Sequence, residues 1–373
     1  MKAIISGGGT GGHIFPALAI ANAIKDRYPE SDILFIGAIG KMEMEKVPAA
    51  GYPIEGLPIV GLQRKLTLKN LALPFKLIKS QLKAKKIIKQ FNPDIVIGVG
   101  GYASAPTLKM ATKLGYSTIL QEQNSYPGLT NKMLAQKATK ICVAYEGLDR
   151  FFPKEKIIFT GNPVRKSIEY INATKEESYE YFKFNSSKKT ILSVGGSLGA
   201  RTINEAINAN IDFFKNNDIQ LIWQTGKWYY QTAIESVKQA NAEEHIKVFE
   251  FISSMDKAYT IADCIISRAG AIAISELCLV GKPTILIPSP NVSEDHQTKN
   301  AMALVNKGAA LIVPDKDANT MLIPTLTELI NDNNKQQTLS QACSAMGVRN
   351  AANKIVDEIE NIIKTKIKNT LVR

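Results

Sequence analysis

Ala3-Ile4-Ile5-Ser6-Gly7-Gly8-Gly9-Thr10-Gly11-Gly12-His13 is a short apolar run that breaks into glycines, and the chain repeats the device at Thr190-Ile191-Leu192-Ser193-Val194-Gly195-Gly196-Ser197-Leu198-Gly199-Ala200. After the first loop Ala17, Ile20, Ala21 and Ile24 fall at helical spacing; after the second, Ile203, Ala206 and Ile207 do the same. Strand, glycine loop and amphipathic helix, twice over, predict two doubly wound α/β domains.

The runs that follow each opening fit this. Residues 33–37, 94–98, 117–121, 140–144 and 157–160 read as buried parallel strands of a first series. Residues 220–224, 247–251, 264–267, 284–288 and 310–313 continue the second. The turn Gly161-Asn162-Pro163-Val164-Arg165 closes the first series, which sets domains at 1–164 and 165–350. Ile355, Ile359, Ile362, Ile363 and Ile367 then recur at helical spacing, so 351–373 is expected to form a terminal helix packing back on the first domain. A length of 373 residues, 45% of them apolar, suits two to three domains of roughly 150 residues each.

Lys+Arg exceed Asp+Glu by 46 to 34, a formal charge of +12 that favours an anionic partner. Nine cations, Arg64, Lys65, Lys69, Lys76, Lys79, Lys83, Lys85, Lys86 and Lys89, lie between residues 61 and 91 with no acid among them. Leu62, Leu66, Phe75, Leu77, Ile78, Leu82, Ile87 and Ile88 interleave with them, a basic amphipathic pattern that Pro74 is expected to split into two helices. Leu77, Ile78 and Leu82 can form a core face with a solvated lysine side, or an apolar face on an anionic membrane surface. Nucleic acid is not expected, since no recognition motif and no aromatic stacking series accompanies the lysines. Cys142, Cys264, Cys278 and Cys343 are too scattered for a disulfide framework or a metal site, so a reducing cytosol is expected. No signal-type apolar region and no run of about 18 apolar residues is present, which predicts neither secretion nor a membrane span.

Glycines between a strand and a helix let backbone approach a phosphate at the positive helix end. Gly7, Gly9 and Gly12 match G-x-G-x-x-G, as in nicotinamide and flavin enzymes. Such a site also wants an acid at the end of the second strand, and here Phe35-Ile36-Gly37-Ala38 has none before Glu43. A second cluster, Gly98-Val99-Gly100-Gly101-Tyr102, ends a strand on the same rim, and two phosphate-type loops side by side suggest a pyrophosphate. In the second half, Ser267-Arg268-Ala269-Gly270 opens a helix carrying Ser275 and Glu276, a carboxylate able to accept both hydroxyls of a ribose. Asp295-His296-Gln297 lies on another strand-end loop.

The first glycine loop with Ile14-Phe15-Pro16-Ala17, the second cluster, Glu122-Gln123-Asn124, Gly161-Asn162-Pro163-Val164-Arg165, Gly195-Gly196-Ser197, Arg268-Ala269-Gly270-Ala271 and His296-Gln297-Thr298-Lys299-Asn300-Ala301 together resemble the MurG family. Those bacterial N-acetylglucosaminyltransferases convert lipid I to lipid II. The resemblance runs in order over nearly the whole chain. It implies a GT-B fold, two Rossmann-like domains facing a cleft, with the acceptor on the first and UDP-N-acetylglucosamine mainly on the second. It places Arg165, Ser197, Ile252, Ala271, Ile272, Ala273, Ile274, Ser275, Glu276 and Gln297 on the donor, with Glu276 at the ribose. Thr10, Gly11, Gly12 and Asn124 would face the transferred sugar, and Gly8, Gly9, Gly100, Gly101 and Tyr102 the acceptor pyrophosphate. It implies an inverting reaction without metal or cofactor, at the cytoplasmic face of the membrane, with undecaprenyl-pyrophosphate-linked muramyl pentapeptide as acceptor.

The reaction needs a base. His245 reads as a surface residue and His296 as a donor-rim residue. His13 follows the loop at a helix start, where the dipole favours a neutral imidazole able to accept a proton; it can equally serve as a helix cap. Where the family commonly has a histidine before Glu-Gln-Asn, this chain has Gln121, which leaves Glu122 as the second candidate base. A UDP-sugar epimerase on the same fold and a non-catalytic lipid-pyrophosphate binder remain as alternatives.

Overall fold

The computed structural model describes residues 1–59, 73–196 and 199–371. The chain forms two compact units, Met1–Val164 with Asn350–Arg373, and Arg165–Arg349.

The first unit is built on β1 (Lys2–Ser6), β2 (Asp32–Ala38), β3 (Ile54–Leu57), β4 (Ile95–Gly98), β5 (Ser117–Glu122), β6 (Lys140–Val143) and β7 (Ile157–Phe159). They form one parallel sheet in the order β3-β2-β1-β4-β5-β6-β7. Ala3, Ile4, Ile5, Ile95, Val96 and Ile97 are fully buried, as expected of central strands covered by helices on both faces. The strand order reverses between β1 and β4, and Ser6 stands opposite Gly98, so both glycine loops leave the sheet side by side at its switch point. β3 was not expected: Ile54-Glu55-Gly56-Leu57 is too short and too polar to show as a buried run, and it sits on the sheet edge. The helix Ala351–Leu371 lays Ile355, Val356 and Ile359 against Ala17, Ile20, Ala21 and Ile24 of the helix Gly11–Arg27.

The second unit carries β8 (Thr190–Val194), β9 (Gln220–Gln224), β10 (Ile246–Phe249), β11 (Cys264–Ser267), β12 (Thr284–Leu286) and β13 (Leu311–Ile312), all parallel in the order β10-β9-β8-β11-β12-β13. Its switch point lies between β8 and β11, where Val194 faces Ser267.

The basic segment resolves one open reading. In the helix Leu73–Phe91, Ser80, Ala84, Ile87 and Ile88 face the core, while Phe75, Ile78 and Leu82 are 76, 57 and 62% exposed. Ile78 and Leu82 are therefore not core, and Leu77 lies at the margin. Pro74 falls in the first turn, where its missing N–H disturbs nothing. Arg64, Lys65 and Lys69 lie outside the described residues, as does any helix before Pro74. Among the described residues no helix is long and apolar enough to cross a membrane.

Candidate functional site

In the first unit the two glycine loops meet backbone to backbone. A Cβ on Gly101 would lie 2.3 Å from the Gly8 carbonyl oxygen, so only glycine permits the approach. Thr10 is the N-cap of the helix Gly11–Arg27 in extended conformation, which leaves Gly11 and Gly12 in its first turn. His13 Nδ1 lies 3.1 Å from the Gly8 carbonyl and 3.2 Å from Thr10 Oγ1. A carbonyl only accepts, so Nδ1 is the donor in that contact, and in the tautomer that carries this single proton Nε2 is the basic nitrogen. The ring lies over Gly100, where a Cβ would come within 2.9 Å of Nε2. Tyr102, on the same rim, is exposed.

Beneath this junction is a carboxylate that the sequence reading passed over. Glu43, 1% exposed, accepts the Gly9 N–H at 2.8 Å through Oε2 and the Ala38 N–H at 2.9 Å through Oε1. It comes so close that a Cβ on Gly8 would lie 2.2 Å from its carboxyl carbon. Glu43 thus returns to the end of β2, where a dinucleotide enzyme keeps its ribose-binding acid, but both oxygens are committed to backbone. The only signal in sequence was an acid soon after the strand. The Gly9 N–H is correspondingly committed, so Gly9 can serve a pyrophosphate by close approach and not by that donor.

Glu122, at the end of β5, is 1% exposed and accepts four hydrogen bonds. Oε1 takes the Asn124 N–H and Nδ2 at 3.0 Å each; Oε2 takes the Gly128 N–H at 3.1 Å and Asn131 Nδ2 at 2.8 Å. A carboxylate has about four lone-pair sites, so this one has none left for a substrate proton. The geometry ties Glu122 to Asn124 through two of those four bonds. Gln121 is fully buried in an amide network. It donates to Asn162 Oδ1 at 3.0 Å and accepts from Gln123 Nε2, and Asn162 donates back to the Gln123 carbonyl at 2.9 Å.

In the second unit Arg165 and Glu276 form a fork. Arg165 Nε donates to Oε1 at 3.1 Å and NH2 to Oε2 at 3.2 Å, while Tyr259 Oη donates to Oε2 at 3.3 Å. Burial raises the Glu276 carboxyl above its ordinary value, with the arginine working in the opposite direction. Burial likewise pushes the Tyr259 phenol well up, so it stays a donor. Ala271, Ile272 and Ala273 form the uncapped first turn of the helix Ala271–Val280, Ile274 is buried, and Ser275 donates to the Ala271 carbonyl at 3.1 Å. Ile252 is buried. Gln297 Oε1 accepts the Ser289 N–H at 2.8 Å, fixing the loop after β12. Ser197 lies outside the described residues. Arg268 is a strut: NH1 donates to the Ile287 carbonyl at 3.0 Å and to Asp315, which also accepts from Thr202 at 3.1 Å. His245 is half-buried, with Nε2 3.1 Å from the exposed Asp218. His296 begins the helix His296–Val305 with Nε2 3.5 Å from Glu294.

The N-terminal domain of glycosyltransferase family 28 matches residues 3–143 and its C-terminal domain residues 190–355. A protein of Parabacteroides distasonis is 54% identical over 98% of this chain and 99% of its own. One of Phocaeicola vulgatus is 56% identical over 96% of each. Both bear the name UDP-N-acetylglucosamine N-acetylmuramyl-(pentapeptide) pyrophosphoryl-undecaprenol N-acetylglucosamine transferase. The crystal structure of Acinetobacter baumannii MurG superimposes with a TM-score of 0.76 at 29% identity, over 96% of this chain and 99% of that one.

The chain belongs to the MurG family of glycosyltransferases.

A UDP-N-acetylglucosamine 2-epimerase of Neisseria meningitidis also superimposes, with a TM-score of 0.67 over 97% of this chain and the whole of that one. At 15% identity it shares the fold alone. The GT-B fold of two Rossmann-like units is therefore common to both classes, and what separates them is the sequence carried on it. Gln121 has its place in a closed amide network, which leaves no role for it in moving protons.

Proposed function

We propose that the chain transfers N-acetylglucosamine from UDP-N-acetylglucosamine to the 4-hydroxyl of the muramyl sugar of lipid I, with inversion, producing lipid II for peptidoglycan. The observation that carries this is the 54 and 56% identity, over 98 and 96% of the chain, to proteins named for that reaction. UDP-N-acetylglucosamine is held by the second unit through Arg165, Ser197, Ile252, the run from Ala271 to Glu276, and Gln297, with Glu276 exchanging its Arg165 donors for the ribose hydroxyls. The first unit holds the acceptor pyrophosphate along Gly8, Gly9, Gly100, Gly101 and Tyr102, and presents Thr10, Gly11, Gly12 and Asn124 to the sugar being moved.

His13 Nε2 takes the proton of the 4-hydroxyl as that oxygen attacks the anomeric carbon from the face opposite UDP. The bond from the anomeric carbon to the diphosphate oxygen breaks, and UDP leaves with the bonding pair. The open N–H groups at the start of the helix Ala271–Val280 favour the charge that develops on the diphosphate. Glu122 keeps Asn124 in place and moves no proton. No step requires a metal or a cofactor.

The acceptor is tethered to a membrane, and the exposed stripe Phe75, Ile78, Leu82 with Lys79, Lys85, Lys86 and Lys89 fits the anionic cytoplasmic surface of the bacterial cell membrane, a peripheral attachment. Radiolabelled UDP-N-acetylglucosamine with a lipid I analogue tests the central claim. Label should appear in the lipid product; label remaining in nucleotide sugar, with the acceptor intact, would overturn it.

A further inference from the structure

One side chain outside the donor set joins two of its segments. Gln224, the last residue of β9, is 3% exposed. Its Nε2 donates to the Gly196 carbonyl at 3.1 Å, and its Oε1 accepts the Ile252 N–H at 2.9 Å. The glycine loop after β8 and the segment after β10 are therefore both pinned to the strand between them.

The surrounding strand end is stiff. Asn204 donates to the Thr225 carbonyl at 2.8 Å and accepts Trp223 Nε1 at 3.0 Å. A Cβ on Gly199 would fall 2.0 Å from the Thr225 oxygen, so the loop rests directly on the end of β9. The two partners of Gln224 are of opposite kind, a carbonyl and an N–H. A carboxylate offers only acceptors and an aliphatic chain offers neither, whereas the amide answers both.

We infer that Gln224 is a positioning residue of the donor site: it fixes the spacing between the Gly195-Gly196 loop and Ile252 so that one nucleoside diphosphate engages both. This rests on the assignment of those two segments to the UDP-sugar. It differs from a structural role in what it should move, namely donor affinity without acceptor affinity.

The test uses the full chain with Gln224→Glu, which keeps an acceptor for Ile252 and loses the donor to Gly196, and Gln224→Met, which keeps the length and neither bond. Steady-state kinetics with each substrate varied, UDP binding by calorimetry and the melting temperature are read for both. KM for UDP-N-acetylglucosamine and Kd for UDP should rise about tenfold or more, with KM for the lipid I analogue within about twofold of the parent. A lowered melting temperature with donor KM and UDP Kd unchanged, or a parallel rise in both KM values, would overturn the inference. If Gln224→Met does not fold, Gln224→Glu alone decides by the same criteria. Should the parent chain bind UDP, lose it in Glu276→Ala and keep it in both Gln224 variants, this inference falls and the donor assignment stands. A parent chain that does not bind UDP overturns both.

Discussion

Glu43 and His13 lie at the first glycine loop and Glu122 at the end of β5, and the difference between them is which lone pairs are already taken. His13 has its Nδ1 directed at the Gly8 carbonyl, which leaves Nε2 as the basic atom. His13→Ala should lower kcat about 100-fold, the usual worth of a general base, with KM for the donor little changed. Glu122→Gln would turn an NH2 toward groups that are all donors, which costs about 1–3 kcal/mol of stability. Its signature is a lower melting temperature with the pH profile of the parent. Near-normal turnover in His13→Ala, with collapse in a fully folded Glu122→Gln, would return the base role to Glu122. The sequence made His13 and Glu122 visible because they stand inside motifs. Glu43 shows in the sequence only as an acid soon after the strand, because its part depends on a helix start folding back onto two backbone N–H groups, which no spacing rule encodes. At Glu276 the sign of a pH effect follows from burial. Its carboxyl is raised above the ordinary 4.5 with Arg165 and Tyr259 facing it, so in the donor-free protein stability falls as pH rises from about that value through the raised one. A ribose diol needs the ionised form, so affinity for UDP-N-acetylglucosamine is full above the raised value and drops as pH falls through it. Calorimetry across that range should show the drop in the parent and a flat, weak response in Glu276→Gln.

Among the elements, the helix Leu73–Phe91 shows how far periodicity reaches. Apolar residues occur all round it, so the sequence admitted both a core face and a membrane face. The structure divides them: Ser80, Ala84, Ile87 and Ile88 go inward, and Phe75, Ile78 and Leu82, at i, i+3 and i+7, go outward among lysines. A single polar residue, Ser80, lies on the buried face, and that substitution of serine for an aliphatic side chain is what blurred the pattern. Lys83 is turned to the protein, donating to the Gly56 carbonyl at 2.8 Å and pairing with Glu55 at 3.3 Å, so it belongs to β3 and not to the outward face. The edge strand that it secures has no apolar run and so leaves no strand signal in the sequence. At about 1 kcal/mol for each basic residue near an anionic surface, Lys79, Lys85, Lys86 and Lys89 together contribute roughly 4 kcal/mol, on the order of 10³ in partition. Replacing all four by Gln should release the protein from phosphatidylglycerol vesicles in a flotation assay and leave turnover on a soluble acceptor intact. Undiminished vesicle binding would mean that the lysines only solvate the helix.

For the whole molecule, the consequential fact is that the chain leaves the first unit at Val164 and re-enters it at Asn350. The isoleucine spacing predicts the last helix and its apolar face, but the strength of its hold is a matter of the surface it meets. Ile355, Val356 and Ile359 are fully buried and Ile362 nearly so, in one cluster with Ala17, Ile20, Ala21 and Ile24. Arg27 adds ion pairs to Asp357 and Glu360, which are exposed enough to add little. Four aliphatic side chains at about 1.5–3 kcal/mol each amount to roughly 6–12 kcal/mol, comparable to the whole stability of a typical domain. Residues 1–164 expressed alone should therefore fail to fold, and adding 350–373 as a separate peptide should restore a cooperative melting transition. The second unit has no such debt: its sheet and both of its core clusters lie within Arg165–Arg349. Expressed alone it should melt cooperatively and bind UDP within about tenfold of the full chain, since the residues assigned to the nucleotide lie inside it. A soluble, cooperatively folded 1–164 would show that the terminal helix is an accessory, and an isolated 165–349 that folds without binding UDP would move part of the nucleotide site to the first unit.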